Sequence, residues 1–320
     1  MQLRIFPYAG TGWSALTGIR RLRRAPNAVF EDFEKVSFRL PAHRLTAPTV
    51  AAVTVLLAAF DGTALAQAKL EARYMATLAG VPIGRGAWQI DVAGDQYIAA
   101  ASGRATGLLA VFSGGHGSAA SRGTIKGGLV QALSYASSVV SGKKSDVVRM
   151  TLSGGNVKDV SAEPPLPPTP DRVPLTEAHR RGVTDPMTGG LIAVAGQGEM
   201  VTPDVCRRTL PIFDGRGRFD LVLSFKRIEH VRAEHGYAGP VVVCNVHYHP
   251  IAGHRPNRAA IRYLAEARDI EVWYAPISGT RMLAPFRISV PTVLGPGVLE
   301  ADTFVVTSRT GAAPAAIKTQ

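Results

Sequence analysis

The chain has 320 residues, 46% of them hydrophobic, with 33 glycines and 22 prolines, enough for one large or two ordinary domains and a sizeable core. Its formal net charge is +12, yet beyond the N-terminal segment the basic residues are scattered, with Lys143-Lys144, Arg180-Arg181 and Arg207-Arg208 the densest pairs. No aromatic–basic alternation of the kind that grips single strands accompanies them, which sets nucleic-acid binding aside.

The N-terminus reads as a targeting segment. Residues 1–35 carry Arg20-Arg21 and Arg23-Arg24 without an amphipathic period. Thr49 to Phe60 is an uncharged apolar run preceded by Arg39, His43 and Arg44, and Ala64-Leu65-Ala66 follows as a small-x-small cleavage site. The run is shorter than the roughly 20 apolar residues that cross a bilayer. A cleaved signal peptide behind a long extension is predicted for residues 1–66, and with it a periplasmic location. The alternative to a start at Met1 is Val36 read through a GTG codon, which gives a conventional short signal peptide. Glu31, Asp32 and Glu34 argue against a transit peptide, and Arg20-Arg21 lies far from the run for a twin-arginine signal.

Cleavage removes eight of the 36 basic and four of the 24 acidic residues, so the net charge falls from +12 to +8. A solubilising surface is the plainest meaning of that charge, and attraction to an anionic membrane or glycan surface is the functional one. No cysteine follows the cleavage site, so no lipoprotein anchor is indicated. Cys206 and Cys244 are the only cysteines, an even count that suits an oxidising compartment and an intramolecular disulfide.

The remaining chain predicts one β-rich domain over residues 67–310 and a flexible tail over 311–320. Lys69 to Leu78 alternates, with Leu70, Ala72, Tyr74, Ala76 and Leu78 on one face. Ala79 to Gly84 reads as a turn, and Trp88, Ile90 and Val92 resume the pattern. Gly94-Asp95 turns into Tyr97 to Ala101. Strands of period two at short spacing make an antiparallel meander. Residues 104–128 look looser, with Leu108 to Phe112 a short element and Ser113 to Ser118 a flexible connection.

Strands follow from Leu129 to Tyr135, Val147 to Leu152 and Val157 to Val160, reversed at Ser141 to Lys144 and Gly154-Gly155-Asn156. Glu163 to Pro170 is a polyproline-like crossover. Thr176 is placed to cap a short helix over Glu177 to Arg181, and Asp185 to cap one that opens with Pro186. Phe213 to Arg218 is a hairpin turn built on Asp214-Gly215. It leads into Phe219 to Phe225, whose partner run is Val241 to Pro250. A helix is predicted over Asn257 to Arg268, then strands over Glu271 to Ala275, Arg281 to Val290 and Thr303 to Thr307.

The chemical signals are weak. Ser113-Gly114-Gly115-His116-Gly117-Ser118 lacks the Gly-Lys-Ser/Thr ending of a phosphate-binding loop, and no Gly-x-Ser-x-Gly elbow is present. His247, His249 and His254 form a cluster without the carboxylate or thiolate that completes a familiar zinc pattern, so they read as solvent-facing. Asp185 and Asp214 are explained as a cap and a turn residue, which leaves Glu229 and Glu234 without a visible partner. No catalytic residue, metal site or cofactor is assigned. Tyr74, Trp88, Tyr97, Leu221, Leu223, Phe225, Tyr248 and Phe286 fall on inward faces, and small Ala99, Ala101, Ala132 and Ala136 leave room beside them. These faces fill either a solid core, the plainer reading, or the wall of a hollow enclosed by a curved sheet too wide to fill itself, and for the second these eight are the candidate lining of an apolar site.

Several stretches together resemble the bacterial domain-of-unknown-function family 3108. They are Thr184-Asp185-Pro186-Met187-Thr188-Gly189, Cys206-Arg207-Arg208, Phe213 to Leu221, Cys244 to Tyr248, Glu271 to Pro276 and Pro285-Phe286-Arg287. The resemblance spans about Leu70 to Val305 and implies an exported envelope protein with no established activity. It implies a mainly β fold, a curved antiparallel meander forming a half-barrel or β-spiral with a few short helices. The expected function is non-enzymatic, the binding of a lipid or another apolar or amphipathic envelope ligand, or of an envelope partner. The alternative is an envelope hydrolase acting on glycan or lipid.

Export predicts a mature N-terminus near Gln67. Mass-spectrometric mapping of the envelope protein checks it, and an intact Met1 or Val36 in the soluble fraction would overturn it.

Overall fold

The computed structural model describes residues 67–107 and 115–309. The apolar run, the cleavage site, the Leu108 to Phe112 stretch and the tail from Gly311 lie outside the described residues. Strand β1 (Gln67–Leu78) buries Ala68, Leu70, Ala72 and Tyr74 and exposes Glu71 and Arg73, as its alternation requires. It turns into β2 (Val81–Ala93) through Ala79-Gly80, with φ of 48° and 82°. Positive φ at both central residues is the hairpin geometry that matches strand twist. The turn is therefore shorter than the sequence suggested, and Pro82 and Gly84 belong to β2. Pro82 is tolerated at the strand's start, before β3 joins at the Gly84–Ala105 pair.

The meander continues through β3 (Gln96–Ala105), β4 (His116–Lys126), β5 (Leu129–Ser141), β6 (Lys144–Ser153) and β7 (Asn156–Glu163). Strand β4 replaces the looser stretch expected from the sequence. Its Ser118, Ala119, Ala120 and Ser121 are too small to show an alternating pattern, yet they pair with both β3 and β5.

A long crossover follows the exposed prolines. It holds a 3₁₀ turn over Glu177–Arg180, the one-turn helix α1 (Pro186–Gly189), the short strand β8 (Ile192–Ala193) and a second 3₁₀ turn over Pro203–Cys206. A second meander then runs back through β9 (Arg208–Phe213), β10 (Arg218–Arg232), the two-residue β11 (His235–Gly236), β12 (Ala238–Ala252), helix α2 (Ala259–Glu266), β13 (Ile270–Ile277), β14 (Met282–Val290) and β15 (Gly297–Arg309). The result is one open 15-stranded sheet in the order β7-β6-β5-β4-β3-β2-β1-β15-β14-β13-β12-β10-β9, with β8 on β14 and β11 on β15. Among the described strands the pairings are antiparallel except β11 with β15, and an isolated parallel bridge joins Thr184 to Ile212 of β9. No helix among the described residues is long and apolar enough to cross a membrane.

The sheet curls rather than lying flat. Strands β10 and β12 are 15 residues each, and irregularities at Arg218/Phe219 and Phe225/Arg227 break their pairing, the kind of bulge that bends a strand. Between them, β11 reaches across to β15. At Gly236 a Cβ would lie 2.2 Å from the Phe304 carbonyl oxygen, and φ is +99°, so only glycine fits this approach. Both faces of β12 are buried over Val241, Val242, Val243 and Cys244. Val241 and Val243 join one core with Leu70, Ile90, Phe286 and Phe304, while Val242 and Cys244 join another with Leu223, Val272 and Leu283.

A third core brings the two edges of the sheet together. Tyr135, Val148 and Met150 from β5 and β6 pack with Phe213 of β9 and Val183 of the crossover. The crossover backbone stitches the same gap, with Val183 N donating to the Gly155 oxygen (2.7 Å) and Thr184 N to the Pro211 oxygen (2.8 Å). Arg216 in the β9–β10 turn adds an ion pair to Asp146 of β6 at 2.9 Å.

Cys206 and Cys244 form a disulfide, Cα atoms 5.4 Å apart, that fixes the second 3₁₀ turn to the middle of β12. Closing a loop with a sequence separation of 38 stabilises a fold by about 4 kcal/mol in the chain-entropy model. The double variant Cys206→Ala/Cys244→Ala is expected to lose about that much in denaturant unfolding. Thiol labelling of the unfolded, unreduced wild type is expected to find no free thiol.

Candidate functional site

Helix α1 is the centre from which the site is built. Asp185 is its N-cap, with Oδ1 accepting from Met187 N at 2.9 Å and Thr188 N at 3.0 Å, and Pro186 opens the turn. Its Oδ2 accepts from Thr188 Oγ1 at 2.5 Å and from Ser121 Oγ of β4 at 3.0 Å. The Tyr97 hydroxyl of β3 lies 2.5 Å from Thr188 Oγ1 and completes the chain. Asp185, Thr188 and Ser121 are all buried. Among the described residues the carboxyl faces four neutral donors and no cation. Burial therefore pushes it above the ordinary carboxylate range, although the four hydrogen bonds pull the other way.

Gly189 and Gly190 let this turn sit tightly between two strands. A Cβ on Gly189 would lie 2.3 Å from Ile212 Cδ1 of β9, and one on Gly190 would lie 3.0 Å from Trp88 Cη2 of β2. On either side of α1 a cleft is left. The larger, about 340 Å³, is half-enclosed by β9, β10, β12, β13, β14 and α2, at the small end of the range of about 300–1,000 Å³ common for ligand sites. The smaller, about 250 Å³, lies against β1, β2 and β3. Pro186, Gly190, Pro285 and Ile288 line both, so α1 and β14 form a shared wall.

The larger cleft is apolar because of cross-strand register. Leu223, Val246 and Ile270 are successive partners across β10, β12 and β13, and all three line it together with Val290 of β14. Opposed residues share a sheet face. Leu221 and Tyr248 form the next row. Glu271 is the acidic lining residue, and it is held by ion pairs to Lys226 and to Arg227. In the smaller cleft the Tyr74 hydroxyl donates to the Pro285 oxygen at 2.7 Å, and among the described residues the buried Trp88 Nε1 has no hydrogen-bond partner.

Of the eight residues expected to line an apolar site, the structure gathers Leu221, Leu223 and Tyr248 in the larger cleft, and Tyr74 and Trp88 in the smaller. The other three lie elsewhere. Tyr97 enters the hydrogen-bonded cluster beneath α1. Phe286 packs in a core ring cluster with Phe304 at 5.7 Å and Tyr237 at 6.4 Å. Phe225 is 39% exposed, beside the irregularity that interrupts its face of β10. Leu210, Ile212, Ile270 and Ile288 line the larger cleft and were not singled out from the sequence. Alternation marks each as inward but not as facing a hollow.

The titratable groups do not converge. Among the described residues no three His, Cys, Asp or Glu side chains are placed to hold a metal ion. His247 and His249 stack edge to face at 4.8 Å, with Arg268 Nη1 2.8 Å from His247 Nδ1. Asp214 Oδ1 is occupied by Arg216 N at 2.8 Å and Gly217 N at 2.6 Å in its own turn. Glu229 accepts from Trp273 Nε1 at 2.5 Å and pairs with Arg227.

The fold and clefts define a curled, open β-sheet protein with an apolar concavity. The chain belongs to the family described as Protein of unknown function (DUF3108), whose family model matches residues 73–302. No curated protein matches the sequence. Among solved structures, the chain is similar to a beta-barrel-like protein of domain of unknown function DUF1849 from Brucella abortus. That match has a TM-score of 0.42 and 8% identity, and covers 76% of this chain and 98% of the other.

The raised Asp185 carboxyl fixes a sign. Protonation favours the folded state, so this group's contribution to stability is lost as pH rises from the unfolded carboxyl value through the raised folded one. Asp185→Asn keeps an acceptor for the helix N–H groups and removes the titration. In denaturant unfolding across a pH series, the stability of Asp185→Asn relative to wild type is expected to increase with pH through that window. A difference that falls with pH would overturn the assignment.

Proposed function

We propose that this protein binds an apolar or amphipathic ligand of the cell envelope in the larger cleft and performs no chemistry on it. The observation that carries the reading is the cleft itself, about 340 Å³ of half-enclosed space on an almost wholly apolar wall. Ligand sites are typically hollows of this character with a few polar groups at fixed places. A periplasmic setting is supported by the apolar run ahead of Ala64-Leu65-Ala66 and by the Cys206–Cys244 disulfide. The basic surface suits an anionic membrane or glycan as a docking environment.

Filling the cleft tests this directly. Leu223→Trp places an indole in the space, and Leu221→Trp does the same from the next row. Both are expected to abolish binding of a fluorescent fatty-acid or phospholipid probe with little loss of stability. If the wild type never binds such a probe and Leu223→Trp destabilises by the 1–3 kcal/mol typical of overpacking, the protein is a structural or partner-binding module instead.

A further inference from the structure

Arg208 extends the cleft-lining row by one strand. It is the Cα partner of Leu223, so the row reads Arg208, Leu223, Val246, Ile270 from β9 to β13. The last three line the cleft, and cross-strand partners share a face. Arg208, half-buried, therefore sits at the β9 end of the row whose other members line the apolar wall. Among the described residues it forms no ion pair, and its Nε is buried without a hydrogen-bond partner. The carboxylate nearest in sequence, Asp204, is bound to Arg207 at 3.0 Å. Glu271 is held by Lys226 and Arg227.

Arg208 lies close enough to the cleft wall to act on Tyr274. Burial pushes the Tyr274 hydroxyl of the cleft wall upward, and the Arg208 charge pulls it back. Burial also lowers the proton affinity of Arg208 itself. A partly desolvated cation without an anion is a costly arrangement in an empty site and a favourable one in an occupied site.

We propose that the ligand is an amphipathic anion whose chain lies along Leu223, Val246 and Ile270 and whose carboxylate or phosphate is received by the Arg208 guanidinium. This rests on the cleft being the binding site. The planar fork of arginine matches both oxyanions through paired N–H donors, which a lysine ammonium does not reproduce.

Two charged probes and their uncharged counterparts test it: a fluorescent long-chain fatty acid against its methyl ester, and a fluorescent lysophosphatidate against the matching monoacylglycerol. The wild type is expected to bind at least one anion about tenfold more tightly than its neutral form, with the preference weakened by added salt. Arg208→Gln is expected to lower that anion's affinity about tenfold and leave the neutral probe unchanged, and Arg208→Lys to fall between. The headgroup with the larger loss names the ligand class. If the wild type binds charged and neutral probes equally, or Arg208→Gln binds the anion as well as wild type, the Arg208 assignment fails while the cleft stands. If no probe binds the wild type, the cleft reading fails and this proposal with it. The wild-type charged-to-neutral ratio decides the matter even if a substitution impairs folding.

Discussion

The buried Asp185 carboxyl constrains the rest of the structure. A carboxylate removed from water without a cation must have its lone pairs filled by hydrogen bonds. Here the donors come from two places, the first turn of α1 and Ser121 of β4, with Tyr97 of β3 behind them. Helix α1 can therefore sit only where the first meander offers that hydroxyl. The residue before Asp185 adds the second attachment, because Thr184 is bonded through its backbone to both Pro211 and Phe213 around β9. One short segment thus ties the opening strands to the far edge of the sheet, and the curl follows from it.

The clefts are what such an arrangement leaves behind. Helix α1 is a single turn of four residues, and its last residue Gly189 and C-cap Gly190 bring it within contact of Ile212 on one side and Trp88 on the other. A longer helix with side chains at those positions would fill the concavity. The disulfide holds the other boundary. By joining Cys206 to Cys244 it keeps the second 3₁₀ turn against β10 and β12 and sets where β9 begins. The position of Arg208, two residues on, depends on that anchor.

Apolar residues alone do not make a cleft, and the contrast between the two faces of β12 shows why. Val241 and Val243 meet the curled-over strands β1, β2 and β15 and are packed solid, while Val246 and Tyr248 further along the same strand meet a hollow. The chemistry of the residues is the same. Coverage by other elements decides which becomes core and which becomes wall.

Much of the fold was legible in the sequence, because strand alternation and turn chemistry are local. Leu70 to Tyr74, Gly94-Asp95, the Asp214-Gly215 turn and the Asp185-Pro186 cap all depend on residues within a few positions of one another, and they stand where those rules place them. Strand β4 was missed because its Ser and Ala residues carry no periodic signal. Their small size makes sense only once α1 is seated against them. The candidate site was legible in part. Leu221, Leu223 and Tyr248 reach the larger cleft, whereas Tyr97 and Phe286 serve hydrogen bonding and solid core, and Phe225 lies open beside an irregularity in β10. Alternation determines that a side chain faces inward, but register across β9 to β14 and the curl of the sheet determine what it meets there. Those are relations between residues far apart in the chain, and only the tertiary structure sets Arg208 in line with Leu223, with no acidic partner among the described residues.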